Sequence, residues 1–426
     1  MQVATLPPPP PTTRPTPRRT RQSWLDALRG FAALVVVFEH SLDPLLPEIR
    51  GVISPWFDFG QYGVLVFFLV SGYVVPISLE RRGDVRAFWI TRVFRLYPLW
   101  ALAAAAGAAF AVAGVYTTLP GQIADRPWTA ALAHLTMLQD LLQVPGVVNV
   151  FWTLSYEMAF YLLVTAMFVL GARGTGTRAS LAFAVGAPIA GALVPAGLLS
   201  RGLGVEAVVA VAATVLAGGF AAVLAGRPEV RRHGAVALAV LAVALLALNS
   251  RVGAWQSLAI MATMFGGTAL HHMERSAALR ARWGWAIFLV PVLAVATAVW
   301  LGPGWGMPEA DQQAFKWSWS TAMIGAWLTF AAGLALRRRA IPPVLAWLGL
   351  VSYSIYLLHP LVLQVVRRIT VDPSAMTLGV RLAWEAALFA AVVACAALGH
   401  RFVERPAQLL GRRLAAERPV EMAQNR

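Results

Sequence analysis

"VEAVVAVAATVLAGGFAAVLAG", residues 205–226, settles the fold class: its only charged residue is Glu206, and apolar and polar side chains do not alternate along it. A strand of a membrane barrel alternates over about 10 residues, whereas this stretch is continuously apolar and, at about 20 residues, long enough to cross a bilayer as a helix. Similar runs recur from residue 27 to residue 402, separated by short polar breaks. With 58% hydrophobic and 13% charged residues in 426, a soluble fold could not hide this surface from water. The sequence therefore predicts an all-α, polytopic transmembrane helical bundle.

Reading the runs with their flanking charge places spans near 27–46, 62–80, 98–116, 150–170, 181–200, 205–226, 234–249, 254–271, 284–301, 318–336, 344–366 and 381–402. That makes twelve, or ten if the short pair 234–249 and 254–271 is miscounted. The arginine-rich segments "ERRGDVRAFWITRVFR", "RPEVRRH", "HHMERSAALRARW" and "RRR" (337–339) then share one side, and the positive-inside rule makes it the cytoplasmic one, with both termini on it. The net charge of +15 is thereby read as topology, and nucleic acid is excluded as a partner. Residues 1–22, with seven prolines and four arginines, read as a disordered cytoplasmic tail, 23–406 as the membrane-embedded domain and 407–426 as a cytoplasmic C-terminal tail. "WTAALAHLTMLQDLLQ" (128–143) is too short and polar to span and reads as an interfacial or re-entrant helix. Cys395, the only cysteine, lies in an apolar run, where packing is its expected role. The adjacent His271 and His272 point about 100° apart on a helix, and no metal site is expected.

Ionisable residues inside spans mark functional sites, because the bilayer penalises them. In "LDALRGFAALVVVFEHS" (25–41), Arg29 at the membrane boundary would put His40, eleven residues on and roughly 16 Å deeper, near mid-membrane. "FFLVSGYVV" carries Ser71 in the second span. Arg92 and Arg95, three apart in "RAFWITRVFRLYPLW", share one helical face and suit phosphate through paired charge-assisted hydrogen bonds, and Pro98 would open the third span. In "NVFWTLSYEMAFYLL" the Glu157 carboxylate enters from the face opposite Arg29, from which it could approach His40 as an orienting acid. Tyr353, Tyr356 and His359 form a stripe at spacing three, and Glu404 sits just past the last span. No P-loop, GxGxxG or GxSxG motif is present.

In this order the motifs resemble the integral-membrane acyltransferase family 3, O-acyltransferases of surface glycans, glycolipids and macrolide-type metabolites. The resemblance rests on the pair Arg29 and His40, "FFLVSGY", "RVFR" followed by "LYP", "FWTLSYE", "SYSIYLLHP" and the closing "ERP", spread over residues 24–406; Tyr73 stands where the family commonly has phenylalanine. It implies acyl transfer, usually of acetyl, from cytoplasmic acyl-CoA to a hydroxyl of a glycan, glycolipid or macrolide-like acceptor, with no permanently bound cofactor, in a bacterial plasma membrane. The roles that follow are His40 as catalytic base or transient acyl carrier, Glu157 as its assistant, and Arg29, Arg92 and Arg95 as the acyl-CoA dock. Ser71, Tyr353, Tyr356, His359 and Glu404 line the substrate path or hold the helices that do. A secondary transporter or flippase of a sugar-bearing lipid is the rival class, but the internal repeat it should show is not found.

Overall fold

A computed structural model describes residues 23–115, 121–172, 174–303, 308–370 and 375–417. The tail expected over 1–22 lies outside the described residues. In chain order the helices are α1 Ser23–Leu45, α2 Pro47–Ile53, α3 Phe59–Arg82, α4 Val85–Val112, α5 Gly121–Asp125, α6 Pro127–Leu135 and α7 Trp152–Val169. Then come α8 Gly176–Leu193, α9 Leu198–Leu203, α10 Val205–Leu224, α11 Pro228–Ala244, α12 Ala254–Arg275, α13 Ala277–Trp283 and α14 Leu289–Leu301. The chain closes with α15 Glu309–Leu336, α16 Pro343–Leu350, α17 Ser352–Ile369, α18 Leu378–Gly399 and α19 Arg405–Ala416. No strand occurs among the described residues, and the protein is a multi-pass membrane bundle.

Among the described residues seven helices are long and apolar enough to cross a membrane, and nine spans result if each of two bent pairs counts as one. The bent pairs are 277–301, with a 57° bend, and 343–369, with a 68° bend. Three further expected spans coincide with α1, α8 and α12, which fall short of that apolarity. For α1 and α12 the reason is their place in the bundle. Sixteen of the 22 residues of α12 are buried, so protein and not lipid surrounds it. The pair doubted for its length is two full helices, since α11 continues through a π-turn to Asn249 and α12 runs for 22 residues.

Small residues let the helices approach closely, as expected where lipid offers no hydrophobic drive between spans. A Cβ on Gly72 of α3 would lie 1.8 Å from the Met264 carbonyl oxygen of α12, and one on Gly267 of α12 would lie 2.3 Å from the Leu69 carbonyl oxygen of α3. Thr268 seals this crossing by donating to the Gly72 carbonyl at 2.8 Å, a bond worth about 0.6 kcal/mol in a membrane. The same device joins α1 to α16, where a Cβ on Gly349 would meet the Asp26 carbonyl at 2.0 Å.

Several expectations change. The third span does not open at Pro98: α4 starts at Val85, capped by Asp84, and carries Pro98 inside it, so Arg92 and Arg95 sit on the spanning helix itself. Of the C-terminal tail expected over 407–426, residues 418–426 lie outside the described residues; 407–416 belong to α19, which α18 reaches through a π-turn at His400–Glu404 and which packs on α4 with Gly411 against Phe94. Cys395 is exposed on α18 and packs no core. Segment 128–143 divides into α6 and a buried irregular stretch, with Met137 and Gln143 at positive φ. Its backbone groups find side-chain partners: Asp140 N–H donates to Ser155, nearby Val147 N–H to His134 Nε2, and Asn249 to the Leu141 carbonyl, while Gln143 donates to the Asn249 carbonyl. Irregular backbone survives at such depth only when it is satisfied in this way.

Candidate active site

Two cavities and a histidine pair follow one another through the bundle. The first cavity, about 120 Å³, opens at the arginine-rich end between α3, α4 and α19 and is lined by Arg82, Thr91, Arg92, Arg95, Gln408 and Arg412. Four of these six residues are arginines and none is acidic, a lining whose charge suits an anion. Arg92 donates to Ser78 Oγ at 2.9 Å and lies over the rings of Phe88 and Tyr161, 5.2 and 5.3 Å from their centroids. Its Nε is buried without a partner, a donor left for a ligand.

The second cavity, about 70 Å³, lies deeper, and Arg95 lines both. Arg29, Ser71, Arg95, Glu157, Tyr353 and Tyr356 all line it, so six of the residues singled out in the sequence converge there from α1, α3, α4, α7 and α17. Around Arg95 lie the carboxylates of Glu157 and Glu404, which offset its positive charge, and the rings of Tyr161 and Tyr353. Arg29 pairs with Asp26 at 3.8 Å and also feels Glu157, Arg92 and Arg95. Tyr353 donates to the Leu96 carbonyl at 2.8 Å, which ties α17 to α4 just past Arg95.

Glu157 and His40 are not brought together. The Glu157 carboxylate accepts from Tyr161, one turn along α7, and faces the arginines. The charged groups around His40 are instead Arg50, Asp58 and Arg367. The cause is axial register. Helix α1 starts at Ser23, so Arg29 lies six residues, about 9 Å, inside the helix and not at its boundary. His40 is correspondingly displaced past the middle, five residues before the helix ends at Leu45.

At that end His40 and His359 stand with ring centroids 5.0 Å apart, and the Tyr356 ring, which borders the second cavity, is 6.0 Å from His359. Tyr356 is held by its hydroxyl, which meets Thr153 Oγ1 at 3.0 Å and the Val150 carbonyl at 3.2 Å. Next to His40, Glu39 faces away from the pair, toward the α2 connection, where it meets Arg50 at 3.2 Å; Arg50 also binds Asp43 at 2.9 Å. Asp58 caps α3 by accepting from Gln61 N–H at 2.8 Å, and burial holds its carboxyl above the ordinary aspartate range.

Glu404 is not past the last span but inside the continuous α18–α19 rod and buried, accepting from Ser354 and Gln408 at 2.8 Å each. Tyr161, Thr153, Arg82, Gln408 and Arg412 complete the site without having been singled out. Their signal is helical spacing: Tyr161 follows Glu157 by four, and Glu404, Gln408 and Arg412 repeat at four on the face α19 turns to α4.

A family model described as an acyltransferase domain matches residues 22–400. Acyltransferase MdmB of Streptomyces mycarofaciens is 32% identical over 159 residues, which covers 34% of this chain and 39% of that protein. Nodulation protein 10 of Rhizobium leguminosarum bv. viciae is 30% identical over 155 residues, 32% of this chain and 41% of that protein. YrhL of Bacillus subtilis (strain 168), named for peptidoglycan O-acetyl transfer, is 28% identical over 171 residues, 37% of this chain and 25% of that protein. The chain thus spans less than half the length of each of these relatives. No solved structure matches.

Proposed function

The chain belongs to this family of acyltransferase domains, and from that premise we propose that it transfers an acyl group, acetyl first, from acyl-CoA to a hydroxyl of a glycan, glycolipid or macrolide-like acceptor. The observation that carries the reading is Arg95, which lines both the anion cavity and the inner cavity. A donor with phosphates at one end and a thioester at the tip of a long arm suits that arrangement: Arg82, Arg92, Arg95 and Arg412 take the phosphates, and the arm passes Arg29, Glu157 and Tyr353. The arginine-rich end faces the cytoplasm of a bacterial plasma membrane by the positive-inside rule, where acyl-CoA is made. The acceptor then approaches from the opposite end, where His40 lies.

His40 is the base. Its Nδ1 is 2.9 Å from the Val36 carbonyl oxygen, which can only accept, so the neutral ring carries its proton on Nδ1 and keeps a lone pair on Nε2. Nε2 takes the proton of the acceptor hydroxyl as the oxygen attacks the thioester carbonyl carbon. The C–S bond breaks, an ester forms, and the leaving thiolate receives the proton back from the imidazolium, which releases free CoA thiol. Glu157, among the arginines, neutralises Arg29 and Arg95 and keeps their guanidiniums in place rather than assisting His40.

The test is His40→Ala, with membrane insertion confirmed, assayed for transfer from labelled acetyl-CoA. General-base loss should reduce turnover by about 10²–10⁴-fold. Undiminished transfer would end this assignment.

A further inference from the structure

The two histidines of the outer end share an arrangement that a single catalytic base does not require. His359 Nδ1 lies 3.2 Å from the Ile355 carbonyl oxygen, four residues back on its own helix, as His40 Nδ1 does from Val36. Both carbonyls are acceptors, so both neutral rings hold their proton on Nδ1 and present a bare lone pair on Nε2. His359 is 1% exposed, and its Nε2 is buried with no hydrogen-bond partner. A buried unpaired acceptor is unfavourable and calls for an explanation. Next to it stands the His40 ring, tilted by 63° with 5.0 Å between centroids, a separation from which a turn of either ring brings two ring nitrogens within hydrogen-bond distance.

We propose that His40 and His359 act as a pair that shares one proton between their Nε2 atoms, with His359 the positioning residue that holds protonated His40 during acyl transfer. This rests on the reading of His40 as the base. In the resting pair neither Nε2 carries a proton. The proton that leaves the acceptor hydroxyl satisfies both nitrogens at once, and it returns to the thiolate sulfur from the same place, so the pair ends the cycle as it began. No additional reactant is needed, and every proton taken up is given back.

The surroundings favour a single shared proton. His40 faces Arg50 from α2, Asp58 from the segment before α3 and Arg367 from α17, and Glu385 of α18 accepts from Ser41 beside it at 2.6 Å. Among the described residues His359 has only His40 as a charged or titratable neighbour within its electrostatic reach, with Tyr356 turned to Thr153 and Val150. One acid and two bases thus act on His40 directly, and nothing but His40 itself supplies a proton to His359. The rings should therefore titrate as a coupled pair in two well-separated steps, the first proton held jointly and the second entering only at much lower pH.

The measurement is ¹⁵N-histidine spectroscopy of the full chain in lipid nanodiscs, with the His40 signal assigned from its absence in His40→Ala. In His359→Leu the midpoint of the His40 titration should fall by about one pH unit, a tenfold loss of proton affinity. His359→Gln should also lower it, by less, since an amide oxygen accepts a hydrogen bond but is a weaker base than imidazole; this variant serves if the leucine form does not accumulate. Thiol release from acetyl-CoA should fall by about 10- to 100-fold in either variant, with its acid limb displaced to lower pH. An unmoved His40 midpoint in the variant that folds overturns the pair, whatever happens to activity. Retained transfer in His40→Ala, with a coupled titration still present in the wild type, would remove the catalytic reading and leave the pair standing.

Discussion

Arg95 shows how much one side chain can be asked to do in a membrane. It borders both cavities, and Glu157 and Glu404 offset part of its charge. Arg95→Lys keeps the charge but loses the planar fork, and should raise KM for acetyl-CoA by about 10-fold or more while leaving kcat closer to wild type, read from initial rates. Arg412, exposed on α19, should matter less: Arg412→Gln is expected to raise KM a few-fold and to lose that effect at high salt, where exposed charges are screened. Arg95 was legible because it is a cation where the bilayer tolerates few, whereas Arg412 joined it only through the packing of α19 on α4. Their partners were harder to read. Glu157 was assigned to His40 because it enters from the opposite face, yet its i, i+4 neighbour Tyr161 and the arginines hold it.

At the level of helices, close approach decides what the site looks like. The crossing of α3 and α12 leaves no room for a side chain at Gly72, so Gly72→Val must push the two helices apart and should cost more than the roughly 1–3 kcal/mol of ordinary overpacking, seen as a lower melting temperature or loss of monodisperse protein in detergent. Gly51, with nothing within 4 Å of a built Cβ, is the control: Gly51→Ala should change little. Helix ends were the least legible feature. Pro98 looked like a helix start because proline favours the first turn, but Asp84 caps α4 further upstream and the helix runs through. The six residues by which α1 begins ahead of Arg29 are what carry His40 past the middle of that helix, toward its C-terminal end.

For the whole molecule, the charge pattern predicts a testable orientation. In a Cys395→Ser background, a thiol placed by Arg232→Cys should be shielded from an impermeant maleimide in intact cells, and one placed by Trp56→Cys, 64% exposed at the other end, should be labelled. The reverse pattern would put the arginine cavity on the outside and remove the route for acyl-CoA. The sequence alone determined that this is a bundle of membrane helices, which stretches of it are helical, and which ionisable groups sit at a cost among apolar residues. These are local properties: a helix in lipid must satisfy its backbone internally and cover itself with apolar side chains, so the requirement is written residue by residue. Only the tertiary structure decided that Glu157 belongs with the arginines, that His359 stands against His40, and that Glu404 and Arg412 come from a rod folded back on α4. Those pairings depend on the rotation and axial register of helices far apart in the chain. Both are set by close contacts such as Gly72 on Met264 and Gly349 on Asp26, which no stretch of sequence contains by itself.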